Sequence, residues 1–226
     1  MIKTISIIIP VLNEVEQIAA TLAQIPTGVD VDVIVVDGGS RDGTIAQVQA
    51  LGIPVITTAA GRARQMNAGA TAATGEILLF LHADTRLPEG FAPVVRQILS
   101  QPGTIAGAFR LKIDAPNRGL QLIETGVNCR SQVLQMPYGD QGLFLPADLF
   151  HKAGGFPDLP IMEDFALVRR LRQQGKIALA PLAVTTSARR WRRVGLLKTT
   201  LINQAIVLAY LLGVAPDRLA TWYRRR

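Results

Sequence analysis

The stretch Ile77-Leu78-Leu79-Phe80-Leu81-His82-Ala83-Asp84-Thr85 constrains the fold more than any other. A continuous apolar run ends abruptly in a polar tip. Strands covered by helices on both faces lack the in-out alternation of half-exposed ones, so this run reads as a buried parallel strand. The tip then falls at the carboxyl end of the strand, where open α/β sheets bind ligands. Asp84 there either holds a divalent cation, Mg2+ or Mn2+ being suited to hard oxygen ligands, or starts a turn.

The preceding chain repeats the pattern. Residues 5–9 form a β-rich run stopped by Pro10, with residues 11–14 as a turn and a helix running on to about residue 25. Pro26-Thr27-Gly28 ends that helix. Residues 31–36 are a second strand, and the loop after it offers Asp42 or Thr44 as a helix cap. Residues 53–57 make a short third strand. A helix opened by Gly61-Arg62-Ala63-Arg64 leads back into the apolar run after Gly75. Strands and helices at this spacing predict βαβ units on a parallel sheet. The second half is less regular. It reads as helices over 88–99, 118–133, from 163 onward and 196–212, with strands over 104–113, 143–145 and 177–180. No linker separates independent domains.

The chain has 226 residues, 49% of them hydrophobic, enough to bury a full core. A formal net charge of +7 favours anionic partners. Nucleic acid is not expected among them, because two tryptophans, three tyrosines and basic residues split among several loops make no stacking groove. Cys129 is the only cysteine, which excludes an intrachain disulfide and a cysteine zinc site. With no secretory pattern at the start, a cytoplasmic location is expected. No run of about 18 apolar residues is present, so no membrane span is expected.

Several polar groups stand where ligands would meet such a sheet, and each has a plainer role beside its functional one. Asp37 meets the pair Gly38-Gly39, which suits a carboxylate at a nucleobase or ribose with the ligand close to the backbone, or an ordinary turn. No Gly-x-Gly-x-x-Gly fingerprint or P-loop occurs. Arg62 and Arg64 open a helix, where cations are disfavoured unless an anion such as a diphosphate intervenes, or they are two solvated arginines on a surface turn. Glu163 and Asp164 are adjacent acids at a helix start, as a general base or as favourable charges on the dipole. Arg189-Arg190-Trp191-Arg192-Arg193 is a phosphate clamp with an aromatic platform, or a solvated basic face.

The order Pro10-Val11-Leu12-Asn13-Glu14, Val36-Asp37-Gly38-Gly39-Ser40, Gly61-Arg62, His82-Ala83-Asp84, Glu163-Asp164, Arg190-Trp191 resembles family 2 glycosyltransferases of the GT-A fold. The likeness extends over nearly the whole chain. It implies an α/β, Rossmann-like, mostly parallel central sheet flanked by helices, with a C-terminal helical extension. It also implies a single glycosyltransferase domain over 1–226, with a nucleotide-binding half (1–85), an acceptor and catalytic half (86–192) and C-terminal helices (193–226). The implied activity is inverting transfer of a sugar from a nucleotide-sugar donor to an acceptor hydroxyl. The resemblance suggests Pro10, Asn13, Glu14, Asp37, Gly38, Arg62, His82 and Ala83 at the donor. It suggests Asp84 at a Mg2+ or Mn2+ ion, and Asp164 in preference to Glu163 as base. Asp140, Gln141, Arg189, Arg190 and Trp191 would face the acceptor or phosphate. His82 stands where the family's Asp-x-Asp motif usually has its first acid. Gly61-Arg62-Ala63-Arg64-Gln65-Met66-Asn67-Ala68-Gly69, Tyr138-Gly139-Asp140-Gln141 and Ser187-Ala188-Arg189-Arg190-Trp191 also look like a small bacterial subgroup. Its members carry arsenosugar-pathway or carotenoid-acid glycosyltransferase labels. Two other readings are a nucleotidyltransferase, opposed by Asn13-Glu14 where a basic glycine-rich loop would stand, and a nucleotide-sugar binding protein without catalysis.

The helix expected at 196–212 is apolar over most of its surface and is preceded by Arg189 to Arg193, with Arg224-Arg225-Arg226 beyond. That combination predicts either packing on the domain or in a homodimer, or peripheral contact with an anionic membrane that brings a lipid-like acceptor to Trp191.

Overall fold

The structure, a computed structural model, describes residues 3–26 and 28–224. The helix stop expected at Thr27 and the terminal Arg225 and Arg226 lie outside the described residues. In the first half β1 (Ile5–Val11), β2 (Val31–Asp37), β3 (Val55–Thr57) and β4 (Ile77–Phe80) pair in parallel, joined through α1 (Ile18–Leu22), α2 (Thr44–Ala50) and α3 (Arg62–Ala72). Then come β5 (Thr85–Arg86), α4 (Phe91–Leu99), β6 (Thr104–Asp114), α5 (Arg118–Leu134), β7 (Leu143–Pro146), α6 (Ala147–Lys152) and α7 (Glu163–Leu171). β8 (Lys176–Ser187), α8 (Arg189–Val194), α9 (Leu196–Leu211) and α10 (Pro216–Arg224) complete the described chain. All eight strands form one sheet in the order β3-β2-β1-β4-β7-β6-β8-β5. β6 and β8 are parallel, whereas β7 runs antiparallel to both β4 and β6, and β5 runs antiparallel to β8.

The unbroken apolar runs are explained by two cores, one on each face of the sheet. Ile5, Ile7, Ile9 and Leu79 join one cluster; Ile8, Val36, Leu78 and Phe80 join the other. Burying each such side chain stabilises the fold by about 1.5–3 kcal/mol. Gly69 lets α3 lie close on the second face, because a Cβ there would come within 2.5 Å of the Ile8 side chain.

Several boundaries differ from the expected ones. β1 runs through Pro10, which lies beyond the last residue paired with β4 and is flanked only by β2. α1 is short because its approach is bound elsewhere: Glu14 N–H donates to Thr44 Oγ1 (2.9 Å) and Val15 N–H to Asp42 Oδ2 (3.2 Å). Asp42 and Thr44 therefore tie two helix starts together, and Gly43, at φ 89°, is the N-cap of α2. β8 is three times the length expected, β5, α6 and α8 were not expected, and α10 was covered only by the general expectation of C-terminal helices.

The sheet order positions the site. From β1 the chain adds β2 and β3 on one side and then β4 on the other, which leaves a crevice at the carboxyl ends of β1 and β4. The β1–β4 ladder stops at Ile8 and Phe80 while β1 continues to Val11, so the two strands part there.

Candidate functional site

A cleft of about 1090 Å3 occupies this crevice. Pro10 and Glu14 come to it from the β1 end, His82, Ala83 and Asp84 from the β4 end, and Arg62 from the start of α3. α8 supplies Arg189, Arg190 and Arg193, and α10 supplies Tyr223 and Arg224. A smaller pocket of about 260 Å3 adjoins it, and Arg62, His82, Asp84, Arg190 and Tyr223 line both spaces. Tyr138, Asp140, Asp164, Phe165 and Trp191 line only the smaller one.

β5 and β8 hold the two sides of the cleft in register. Thr85 pairs with Thr186, and Ser187 N–H donates to the Asp84 carbonyl at 3.0 Å. The metal candidate and the start of the arginine helix α8 are thus two ends of one short ladder.

The two acids of α7 take different roles. Glu163, only 1% exposed, forms an ion pair with Arg62, whose side chain is 42% exposed. Arg64 pairs with Asp158 at 2.9 Å. The two cations at the start of α3 therefore have anionic partners within this chain itself. Asp164 faces the smaller pocket, and its two oxygens accept the Gly139 and Phe165 N–H groups, each at 2.7 Å. Gly139 sits tightly between functional groups. A Cβ on it would lie 3.0 Å from Asp164 Oδ2 and 3.2 Å from His82 Nε2. Met162, which caps α7, holds φ 70°, a left-handed conformation that costs a residue of its size about 1 kcal/mol.

Burial and the neighbouring Arg62 push the His82 imidazole down to about 4, so the ring is neutral at pH 7. Burial pushes the Asp140 carboxyl up to about 6, opposed by Arg130 and reinforced by Asp164. Its Oδ1 is buried with no hydrogen-bond partner among the described residues. Folding then raises the proton affinity of Asp140, and its ionisation destabilises the fold as the pH rises through about 6. Asp140→Asn should therefore gain stability relative to the unsubstituted chain between pH 4 and pH 8. Urea unfolding at several pH values reads this, and a difference independent of pH would refute it.

Other candidates stand apart from the cleft. Asp37 is fully buried, and its oxygens accept the Gly39 (2.7 Å) and Ser40 (3.0 Å) N–H groups, so it shapes its own turn. Gly38 packs against the Gln65 side chain. Asn13, at φ 56°, is clamped to the same turn, donating its N–H to Ser40 Oγ and accepting from Arg41 N–H. None of these three lines the cleft. Gln141 is also fully buried: it accepts from Ser131 Oγ (2.7 Å) and donates to the Phe109 carbonyl (3.0 Å). In this structure Asn13, Asp37, Gly38 and Gln141 therefore line neither space and are engaged in turns and buried hydrogen bonds. Glu14 does line the cleft and pairs with Arg189 at 3.0 Å. Arg190 Nε is buried without a hydrogen-bond partner among the described residues, and its guanidinium lies 3.9 Å from the centroid of the Tyr223 ring. Tyr223 was missed from the sequence, although Pro216 at a helix start and the apolar spacing of Leu219, Ala220 and Tyr223 signal α10.

A sequence model described as "Glycosyl transferase family 2" matches residues 6–156, about two thirds of the chain. The chain belongs to glycosyl transferase family 2. The mannosyltransferase PcManGT from Pyrobaculum calidifontis, solved with GDP-Man and Mn2+, has a similar fold. It is 21% identical at a TM-score of 0.67, with 98% of this chain covering 69% of that one. TarS from S. aureus (residues 1–349) is 16% identical at a TM-score of 0.63, with 82% of this chain covering 60% of that one. Glucosyl-3-phosphoglycerate synthase from Mycobacterium tuberculosis, in complex with phosphoglyceric acid, is 20% identical at a TM-score of 0.60. There 82% of this chain covers 70% of that one. This family 2 chain thus spans about 60–70% of the length of these relatives. No curated protein matches it.

Proposed function

We propose that this family 2 chain is an inverting glycosyltransferase that moves a sugar from a nucleotide-diphosphate sugar to an acceptor hydroxyl. The observation that carries the reading is the meeting of two spaces: a cleft with arginines and Asp84 opens into a pocket containing Asp164. The diphosphate lies in the cleft against Arg190 and Arg193, with Arg62 at the junction. The acceptor lies in the pocket. Asp164 accepts the acceptor's hydroxyl proton as the acceptor oxygen bonds to the anomeric carbon. The bond from that carbon to the diphosphate oxygen breaks, and the nucleoside diphosphate leaves with the electron pair. One displacement inverts the centre.

A divalent ion fits the donor set in one way only. Among the described residues no group of three or more acidic, histidine or cysteine side chains gathers for a metal. Asp84, with neutral His82 beside it, suits Mg2+ or Mn2+ held mainly by the diphosphate, as Mg2+ sites commonly are. Such an ion would offset charge on the leaving group. PcManGT was solved with Mn2+ and GDP-Man, and TarS with UDP and with UDP-GlcNAc. A panel of nucleotide sugars, assayed for donor hydrolysis and transfer with and without Mn2+, tests the reading. Failure of every donor to bind or turn over would overturn it.

The C-terminal helices add a membrane proposal. α9 buries Ile202 and Ile206 yet exposes Leu197, Leu201, Leu208 and Leu211. Among the described residues no helix is long and apolar enough to cross a membrane. Exposed Arg192, Arg193 and Lys198 beside this face, together with the net charge of +7, favour an anionic bilayer as its cover. Flotation with anionic liposomes at low salt should carry the protein upward, and Leu201→Glu with Leu208→Glu should abolish this. Loss of flotation with a concentration-dependent dimer would assign the face to a second copy instead.

A further inference from the structure

We infer that the 260 Å3 pocket takes a neutral, amphiphilic alcohol, with one hydroxyl at Asp164, a second hydrogen-bonding group at Asp140 and an apolar body against Phe165, Ile206 and Val207. This inference rests on the glycosyl-transfer reading and names the acceptor class for it.

Three observations carry it. First, the charged residues that line the smaller pocket but not the cleft are both acidic, Asp140 and Asp164, whereas Arg62 and Arg190 stand where the two spaces meet. An anionic acceptor would enter against two carboxylates, since the lining cations lie at the junction with the donor cleft and Arg130, which opposes the charge of Asp140, does not line the pocket. Second, Asp140 Oδ1 is buried without a partner, an arrangement that costs free energy unless a ligand group meets it. Its neighbour Asp164 already accepts two backbone N–H groups, so Asp140 is the less committed acid of the pair. Third, apart from Thr186, Ser187 and Asn203, most of the remaining wall is apolar. α7 provides Phe165, whose ring packs edge-on against Tyr210 at 5.6 Å, and α9 provides Ile206 and Val207. The volume lies below the roughly 300–1,000 Å3 of sites that enclose drug-sized ligands, so the pocket fits a compact molecule or the hydroxyl-bearing end of a longer one.

The test is ligand-observed NMR titration of the full chain with three probes: 3-phenylpropane-1,2-diol, glycerol and 3-phosphoglycerate. UDP and GDP binding, each with Mn2+, are measured in parallel. The diol should bind at least about tenfold more tightly than glycerol, which lacks the apolar body, or 3-phosphoglycerate, which is anionic. Val207→Trp fills the pocket and should weaken the diol at least about tenfold while nucleotide affinity stays within about twofold. If Val207→Trp does not fold, as judged by thermal unfolding, Val207→Asp replaces it and should weaken the diol by adding a third carboxylate. Asp140→Asn should reduce the preference for the diol over 3-phenylpropan-1-ol. Glycerol or 3-phosphoglycerate binding as tightly as the diol would overturn the inference, as would a folded Val207 variant that still binds the diol normally. Diol binding without any nucleotide binding would overturn the glycosyl-transfer reading and leave the pocket assignment standing.

Discussion

Asp164→Asn should lower turnover about a hundredfold or more while leaving nucleotide affinity nearly unchanged, the usual scale for loss of a general base. Asparagine keeps the shape but cannot take up the acceptor's proton. The substitution also turns one oxygen that accepts a backbone N–H into a donor or forces a flip, because both oxygens are engaged by Gly139 and Phe165. A loss of about 1 kcal/mol of stability should therefore accompany the kinetic defect. Glu163→Gln gives the contrast. Glu163 is sealed against Arg62, so its substitution should act first on stability, by about 1–3 kcal/mol, moderated because Arg62 is 42% exposed. Turnover and urea unfolding measured on both variants separate the roles. Unchanged turnover in Asp164→Asn would remove Asp164 as base, and a larger kinetic defect in a stable Glu163→Gln would give the role to Glu163.

The second large effect is expected at Asp84. Asp84→Ala should lower turnover about a hundred- to a thousandfold, the scale seen when one electrostatic partner of a developing charge is removed. Mn2+-dependent UDP or GDP binding should fall with it. The fold should be little affected, because the ladder at this point uses the Asp84 carbonyl, which alanine retains. Isothermal titration with and without Mn2+, beside a melting curve, reads both parts. Wild-type turnover in the variant would end the assignment of Asp84 to the metal.

The parallel half of the sheet was legible because β1, β2 and β4 are buried on both faces, which leaves unbroken runs such as Ile77–Phe80. The long β8 was not. Its expected end at Ala180 is followed by Pro181, which argues against a strand continuing. The β6–β8 ladder shifts register between Ala108 and Arg110, so Ala180, Pro181 and Leu182 are skipped in pairing and the strand resumes at Ala183. No local pattern announces such a shift. Within the site, residues that line the cleft, such as Glu14, Arg62 and Asp84, were legible as polar groups at strand ends or helix starts. Asp37 and Gln141 have the same kind of signature and engage in buried hydrogen bonds, partners that no local pattern in the sequence names. Tyr223 reaches the cleft only through the packing of α10, a placement set by tertiary structure.

The joining of Asp84 to α8 through β5 and β8 also bears on when the site comes into existence during folding. The contacts that assemble it span long stretches of chain: 101 residues separate Arg62 from Glu163 and Thr85 from Thr186, and 175 separate Glu14 from Arg189. Closing such loops costs entropy before any contact rewards it, so these pairings belong to slow, late steps. A chain that has formed only β1 to β4 would carry Pro10, Arg62 and Asp84 yet lack both the Glu163 partner and the α8 cations. Nucleotide would then bind only the completed fold, and by mass action would stabilise that state alone, drawing late intermediates toward it.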